Sequence, residues 1–321
     1  MKKLFLVLNL LFLLNPVAAQ SYDKTVKGQH FIHSMTGKFG YSKSELQQIF
    51  SHVQMDSTIL NKISRPAEKT TPWYRYKKIF LDKERISHGV AFYQKYKTIL
   101  DEAYKKFGVP QSVIVAILGV ETRYGKVMGN DKVITALSTI AFNYPKREKF
   151  FTKELKAFLK MAKLERFNPL LPKGSYAGAM GMAQFMPSSY LHYAVDYEND
   201  GKKDLWNNPA DAIFSIANYL AKNGWQRDGL IVDTANLTRP YKGKYSHKPF
   251  TTLHNLNQQG IYLKNTVSIG NNRVGLLTLD GKSQKQYYIT FPNFAVITTY
   301  NTSPMYAMAV IELSKIIEKK H

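Results

Sequence analysis

Apolar positions recur at helical spacing over most of the chain. In residues 42–62, Leu46, Ile49, Phe50 and Val53 share one face behind Ser42. Glu45, three positions after that serine, makes a capping box, so the spacing predicts one helix there. Residues 84–106 predict a long helix carrying Ile86, Val90, Phe92 and Tyr93. Pro110 then opens a continuously apolar segment that ends at Glu121, and helical patterns run on to about residue 225. The pattern changes near residue 230, where Thr, Asn, Gly and Lys become frequent. Here "VGLLTL" (274–279) and "QYYIT" (286–290), separated by Asp280-Gly281 and a few polar residues, predict a β-hairpin. A helical stripe returns at the end with Tyr306, Ala309, Val310, Leu313, Ile316 and Ile317. The expected fold class is mainly α with a small β insertion before a C-terminal helix.

One position breaks the apolar pattern. On a helix, Glu121 lies on the same face as Leu118, Ile117, Ile114 and Val113. A carboxylate turned towards a core is costly unless it is paired or protonated, and burial raises its pKa towards the range useful to a general acid. A helix-end glutamate in solvent is the plain alternative, since Gly119, Thr122 and Gly125 announce a helix end. Residues 174–190 (GSYAGAMGMAQFMPSSY) add a second signal. Small residues there allow close approach of backbone or ligand, and Ser175 and Gln184 stand as isolated polar groups among apolar neighbours. Tight helix–helix packing would favour the same small residues.

Composition narrows the setting. Two lysines, an apolar run and Val17-Ala18-Ala19 have the form of a cleaved export signal over residues 1–19, with a run too short to span a bilayer. There is no cysteine, which excludes disulfides, thiol chemistry and a lipid attached at the cleavage site. The expected product is a soluble exported protein without a lipid anchor. The net charge is +22, or +20 once Lys2 and Lys3 leave with the signal, and this implies a polyanionic partner or surface. Export and the scattered placement of the basic residues argue for an anionic cell-wall polymer over nucleic acid.

The blocks "GVETRYGKVMG", "FNYPKREKFF", "GSYAGAMGMAQFMPSSY", "YAVDYENDGKKDLW", "PADAIFSIANYL" and "TTYNTSPMYAMAV" occur in this order. Together they resemble the membrane-bound lytic murein transglycosylase B family, over about residues 28–315. The resemblance implies a lysozyme-like α core that cleaves peptidoglycan glycan strands in the periplasm. It also implies an organisation: an N-terminal helical region (20–105), a catalytic core (106–228), a β-rich insertion (229–295), and a returning groove segment with the C-terminal helix (296–321). The family's single catalytic acid falls on Glu121. It would protonate the glycosidic oxygen and then act as base on the muramic acid C6 hydroxyl, closing a 1,6-anhydro ring without water. No cofactor is implied for this chemistry, and no second carboxylate stands in a partner position; Asp131 is the nearest downstream acid.

Other roles follow from the same resemblance. Ser175 and Gln184 would hydrogen-bond beside the acid, with Ser175 towards the N-acetyl region. Phe185 and Tyr219 would wall the groove. Tyr300, Asn301 and Tyr306 would form its other side, and Tyr76 would lie near the acid. Lys146 and Arg147 stand where the family has two arginines, and lysine at 146 loses planar bidentate geometry. Residues 196–211 resemble a calcium loop of the EF-hand kind: Asp196, Glu198 and Asp200, then Gly201, the Lys202 carbonyl, and Asp211 as the closing acid. Position twelve is Asn207 instead of glutamate, and an acidic surface turn remains the alternative to a structural Ca²⁺ or Na⁺ site. Peptidoglycan is the expected partner, other cell-wall enzymes are candidate partners, and no nucleic acid is expected. Two rival functions stay open: a hydrolytic muramidase and a catalytically silent wall-binding protein.

Overall fold

A computed structural model describes residues 20–64, 71–265 and 273–321. The export signal expected over residues 1–19 lies outside the described residues. Two compact units emerge, Met1–Met55 and Asp56–His321. In the first, α1 (Val26–Met35) and α2 (Lys43–Ser51) enclose Phe31, Ile32, Met35, Leu46 and Phe50. The Phe31 and Phe50 rings meet edge-on at 5.5 Å. Ser42 caps α2 by accepting from the Glu45 N–H at 3.1 Å, as the sequence predicts.

The second unit begins with α3 (Ser57–Ser64), α4 (Trp73–Tyr76), α5 (Lys83–Lys95), α6 (Lys97–Phe107) and α7 (Gln111–Thr122). The helix expected over 42–62 is therefore two. The chain leaves helix after Ser51, and Asp56 starts α3 anew by accepting from the Thr58 N–H at 2.8 Å and the Thr58 hydroxyl at 2.7 Å. The helix expected over 84–106 is also two, broken at Tyr96, which adopts φ −109°, ψ 22°. Both halves touch α7, but beyond it they turn to different partners, α5 to the C-terminal helix α14 (Pro304–Lys320) and α6 to α11 (Pro209–Lys222), so the chain bends between them.

Beyond α7 come β1 (Asp131–Lys132), α8 (Val133–Asn143), α9 (Glu148–Leu164), β2 (Lys173–Gly174), α10 (Pro187–Tyr193) and α11 (Pro209–Lys222). The β region follows: β3 (Val232–Leu237), β4 (Ser246–Thr252), α12 (Leu253–Gln258), β5 (Ile261–Leu263), β6 (Arg273–Asp280) and β7 (Lys285–Thr290). Its five strands pair antiparallel in the order β4-β6-β7-β3-β5. The expected hairpin is β6–β7, in register from Gly275 opposite Thr290 to Asp280 opposite Lys285. One face of the sheet packs Val274, Leu276, Ile289, Ala235 and Ile261 against Leu256 of α12. The chain returns through α13 (Pro292–Tyr300) and α14 (Pro304–Lys320). Tyr306, Ala309, Val310, Leu313 and Ile317 of α14 are buried, and Ile316 is half-buried. Helix α7 lies at the centre of the unit, packed by α5, α6, α11 and α14. Among the described residues no helix is long and apolar enough to cross a membrane.

Candidate active site

The site is set by how α7 ends. Every residue from Ser112 to Val120 is buried, and Glu121 is the first that reaches partial exposure. The helix stops because Arg123 turns into the left-handed region at φ 50°. The Tyr124 N–H then bonds back to the Leu118 carbonyl at 3.1 Å, a Schellman closure. Glycine is the usual residue at such a turn. Here Arg123 and Tyr124 (φ 62°) both adopt it before Gly125, and each non-glycine residue so placed costs about 1 kcal/mol or more.

Side chains hold that strained turn. The Arg123 guanidinium lies 3.5 Å from Asp82 and 3.7 Å from Glu84. The Tyr124 hydroxyl donates to the Arg85 carbonyl at 2.9 Å, and its ring stacks on Phe92. Room for that ring is made by glycines, since a Cβ at Gly119 would meet the phenol oxygen at 2.5 Å and one at Gly89 at 2.4 Å. Thr122 is 1 % exposed; its hydroxyl accepts from the Gly125 N–H at 3.0 Å and donates to the Met182 carbonyl at 3.0 Å. That last bond clips the end of α7 to the segment carrying Gln184.

That segment is not a helix. Residues 173–186 form a compact loop in which Met180 bridges both Gly174 and Phe185. The small residues serve backbone approach, which corrects the helix-packing alternative. A Cβ at Gly174 would lie 2.2 Å from the Ala179 carbonyl oxygen, and one at Gly181 2.4 Å from that of Leu205. Ser175 folds the loop on itself, its Oγ accepting from the Ala179 N–H at 3.0 Å and the Ala177 N–H at 3.3 Å. Gln184 sits at φ 49°, with Nε2 donating to the carbonyls of Gly181 (2.9 Å) and Met128 (3.1 Å).

Three aromatic residues support this loop from behind. Phe185 is 2 % exposed and Tyr219 8 %, too little surface for either to wall a groove as expected. Their rings lie 5.7 Å apart, and Tyr300 meets Tyr219 at 4.8 Å. The Tyr219 hydroxyl donates to the Thr299 carbonyl and that of Tyr300 to the Ala183 carbonyl, so the block ties α11 and α13 to the loop.

A hydrogen bond to the Glu121 carboxyl group comes from α14. The Tyr306 hydroxyl donates to Glu121 Oε1 at 2.6 Å. Tyr306 is 3 % exposed, and burial, followed by the Glu121 charge, holds its phenol pKa well above the ordinary value. Tyr76 adds to the same upward shift, which puts it beside this pair. Asn301 Oδ1 accepts from the Ser303 N–H at 3.0 Å and so shapes the turn that delivers Tyr306. Lys146 and Arg147 are exposed on a separate 3-10 turn, where the Arg147 guanidinium covers Phe150 at 4.7 Å. No contact among the described residues brings them to Glu121. Asp131 is engaged elsewhere, 3.2 Å from the Lys62 ammonium.

Residues 25–315 match the Transglycosylase SLT domain family. The chain belongs to that family. It is 40% identical over 304 residues to membrane-bound lytic murein transglycosylase B of Escherichia coli K12, covering 90% of this chain and 82% of that one. The crystal structure of the E. coli lytic transglycosylase Slt35 in complex with calcium superposes with a TM-score of 0.87 at 38% identity, over 94% of this chain and 95% of that one. SltB3 of Pseudomonas aeruginosa, in complex with NAG-anhNAM-pentapeptide, gives a TM-score of 0.80 at 29% identity, over 93% and 80%.

In this transglycosylase domain the acidic loop lies next to the site segment. The Met182 N–H bonds the Leu205 carbonyl at 2.7 Å, and the Trp206 indole N–H bonds that of Lys173 at 3.0 Å. Asp196, Glu198 and Asp211 each present an oxygen, all within 4.8 Å of one another. Asp211 is 1 % exposed, and burial, with Glu198 and Asp196 adding to it against the hydrogen bonds it accepts, raises its pKa. Two carboxylates crowded around a buried third fit a hard cation with oxygen ligands. Asp200 is outside that group and accepts from the Lys202 N–H; Asp196 accepts from Gly201, which turns at φ 86°. Position twelve, Asn207, turns to Asp204 at 2.9 Å. Arg123, Tyr124 and Asp204 were not singled out from sequence, and Thr122 only as a mark of the helix end; the clip and the strained turn were legible only as the "ETRYG" that ends a buried helix.

Proposed function

We propose that the chain is a lytic transglycosylase that cleaves the MurNAc-β-1,4-GlcNAc bond of peptidoglycan with Glu121 as its single acid and base. The observation that carries this reading is Glu121 at the exposed end of an otherwise buried helix, its carboxyl group held by the Tyr306 hydroxyl. Glu121 gives its proton to the glycosidic oxygen as the C1–O bond breaks. The resulting carboxylate, stabilised by the Tyr306 donor, takes the proton of the muramic acid C6 hydroxyl. O6 then bonds to C1, the 1,6-anhydro ring closes, and Glu121 is again protonated. Ordinary glycosidases need a second carboxylate about 5–9.5 Å from the first. Asp131, the acid nearest downstream, is occupied by Lys62, which favours the substrate's own hydroxyl as nucleophile. Ser175, Gln184, Asn301 and Tyr76 hold the sugar or the loops that face it. Phe185, Tyr219 and Tyr300 brace those loops.

The loop at Asp196, Glu198 and Asp211 holds a structural Ca²⁺ in this reading. When bound, the ion offsets the repulsion among the three carboxylates and takes no part in bond cleavage. The reaction places the protein with peptidoglycan in the periplasm, and its positive charge steers it to that acidic polymer. Mass analysis of the products released from purified peptidoglycan tests the proposal. Anhydromuropeptides from the protein, absent with Glu121→Gln, are expected. Reducing-end muropeptides would mean hydrolysis, and sedimentation with sacculi without products would mean a binding protein.

A further inference from the structure

One short turn, residues 204–207, holds the loop at 173–186 at two points. The Leu205 carbonyl accepts from the Met182 N–H at 2.7 Å, and the Trp206 indole N–H donates to the Lys173 carbonyl at 3.0 Å. The fit is close: Leu205 is fully buried, and a Cβ at Gly181 would meet its carbonyl oxygen at 2.4 Å. A single side chain folds this turn. Asp204 Oδ1 accepts from the Trp206 N–H and the Asn207 N–H, both at 2.9 Å, which makes an Asx-turn over the residues that follow it. Its other oxygen accepts from the Asn207 side-chain amide at 2.9 Å. The Asp204 N–H donates to Asp211 Oδ2 at 2.7 Å, which fixes the turn to the start of α11. The Asp204 carboxylate is not one of the three that crowd together at Asp196, Glu198 and Asp211.

From this turn, hydrogen bonds run step by step to the residue beside Glu121. Leu205 takes the N–H of Met182 at 2.7 Å, and the carbonyl of the same Met182 accepts from the Thr122 hydroxyl at 3.0 Å. Thr122 is buried and follows Glu121 directly, at the point where α7 ends. Coupling of this kind travels through contiguous bonded groups, and here every link has a partner and a distance. We propose that Asp204 is a positioning residue for the reaction: by folding the 204–207 turn it places Met182, and through Thr122 it sets where Glu121 meets the glycosidic oxygen. This rests on the reading of Glu121 as the acid. Asp204 touches no reacting atom and acts only through the turn. Its work there needs an acceptor oxygen at Oδ1, which asparagine also supplies, and does not need the charge.

The test follows release of anhydromuropeptides from purified peptidoglycan by the full chain, with calcium in fixed excess so that the acidic loop stays in one state. Asp204→Asn keeps the Oδ1 acceptor and should hold kcat/KM within about twofold of the parent. Asp204→Glu keeps the charge but carries its oxygens one methylene too far for the turn. It should lower kcat, and kcat/KM with it, about tenfold at little changed KM, because a shift well under 1 Å at the reacting atoms has that effect. Thr122→Val, alone and combined with Asp204→Glu, tells one shared path from two separate defects. Both act through Met182, so the double variant should lose about tenfold, as each single variant does, where independent defects would multiply to about a hundredfold. A hundredfold loss in the double variant overturns the proposal, as does full activity in Asp204→Glu or equal impairment in Asp204→Asn. Thermal unfolding accompanies each assay, and loss of the fold in both Asp204→Glu and Asp204→Ala would make Asp204 a folding residue and overturn the proposal too. Absence of anhydro products from the unmutated protein overturns the reading of Glu121 and this proposal together. Anhydro products from that protein, with any of the other failures, overturn the proposal alone.

Discussion

Replacing Tyr306 by phenylalanine removes one hydroxyl and keeps the ring that α14 buries. That hydroxyl stands 2.6 Å from Glu121 Oε1, within the range of a short O–H···O⁻ bond. Its own ionisation does not intrude, because burial and then the Glu121 charge push the phenol well above the ordinary tyrosine value. It therefore remains a donor wherever the carboxyl group titrates. A donor favours the carboxylate over the acid. A hydrogen bond to a charged group is worth about 1.5–3 kcal/mol. Glu121 is partly exposed and water replaces part of the loss, so the lower end applies, and about 1.4 kcal/mol corresponds to roughly one pH unit. Cleavage needs Glu121 protonated, so kcat/KM falls as pH rises through its titration. The alkaline limb should then move up by about one unit in Tyr306→Phe. The plateau should fall about tenfold, because the carboxylate formed during bond cleavage loses its donor. The assay is release of soluble anhydromuropeptides from sacculi across pH, with thermal unfolding to show that the fold persists. An unmoved limb with a raised KM would refute this account and return Tyr306 to the groove-lining role read from sequence. A downward shift would refute the sign itself.

Three further outcomes are expected. Thr122→Val should lower kcat/KM about tenfold by cutting the clip between α7 and Met182, at a cost of about 1–3 kcal/mol for the buried groups left unpaired, and Thr122→Ser should restore it; equal loss in both variants would discount the clip. Gly119→Ala should destabilise the fold: alanine is a better helix former by about 1 kcal/mol, but its Cβ would meet the Tyr124 phenol at 2.5 Å, and overpacking costs about 1–3 kcal/mol, so a raised melting temperature would contradict the packing. Calcium should raise the melting temperature at neutral pH, by about 2.7 kcal/mol of added stability at a hundredfold excess over Kd. Because Asp211's pKa is raised on folding by burial, stability without the ion declines as pH rises through that value, so the calcium effect should shrink towards acid pH and vanish in Asp211→Asn.

The sequence made legible what repeats locally. The uninterrupted apolar run before Glu121 could only be a buried segment, and Pro110 and Gly125 bounded it; α7 is the result. Two strand-like apolar segments on either side of Asp280-Gly281 marked the hairpin. The breaks at residues 52–56 and at Tyr96 escaped because apolar spacing continues across both, and only the direction in which each stripe finds a partner decides where a helix must bend. The loop at 173–186 escaped for a related reason. Glycine and alanine mark close approach without saying whether a neighbouring helix or the loop's own carbonyls do the approaching, and the 2.2 Å between a notional Gly174 Cβ and the Ala179 oxygen answers for the carbonyls.

The site depends on contacts no local pattern contains. Tyr306 reaches Glu121 across 185 positions, so a residue expected to line the groove proves to hold the acid itself. The strained turn behind that acid shows the same dependence. "ETRYG" suggests a helix closed by Gly125, but Arg123 and Tyr124 take the left-handed conformation first and remain there through Asp82, Glu84 and Arg85 at the start of α5. A turn costing a few kcal/mol and braced by distant side chains as well as by its own backbone bonds is a sensitive point of control. With Glu121 as the acid, the α5 start therefore helps set where its proton is delivered.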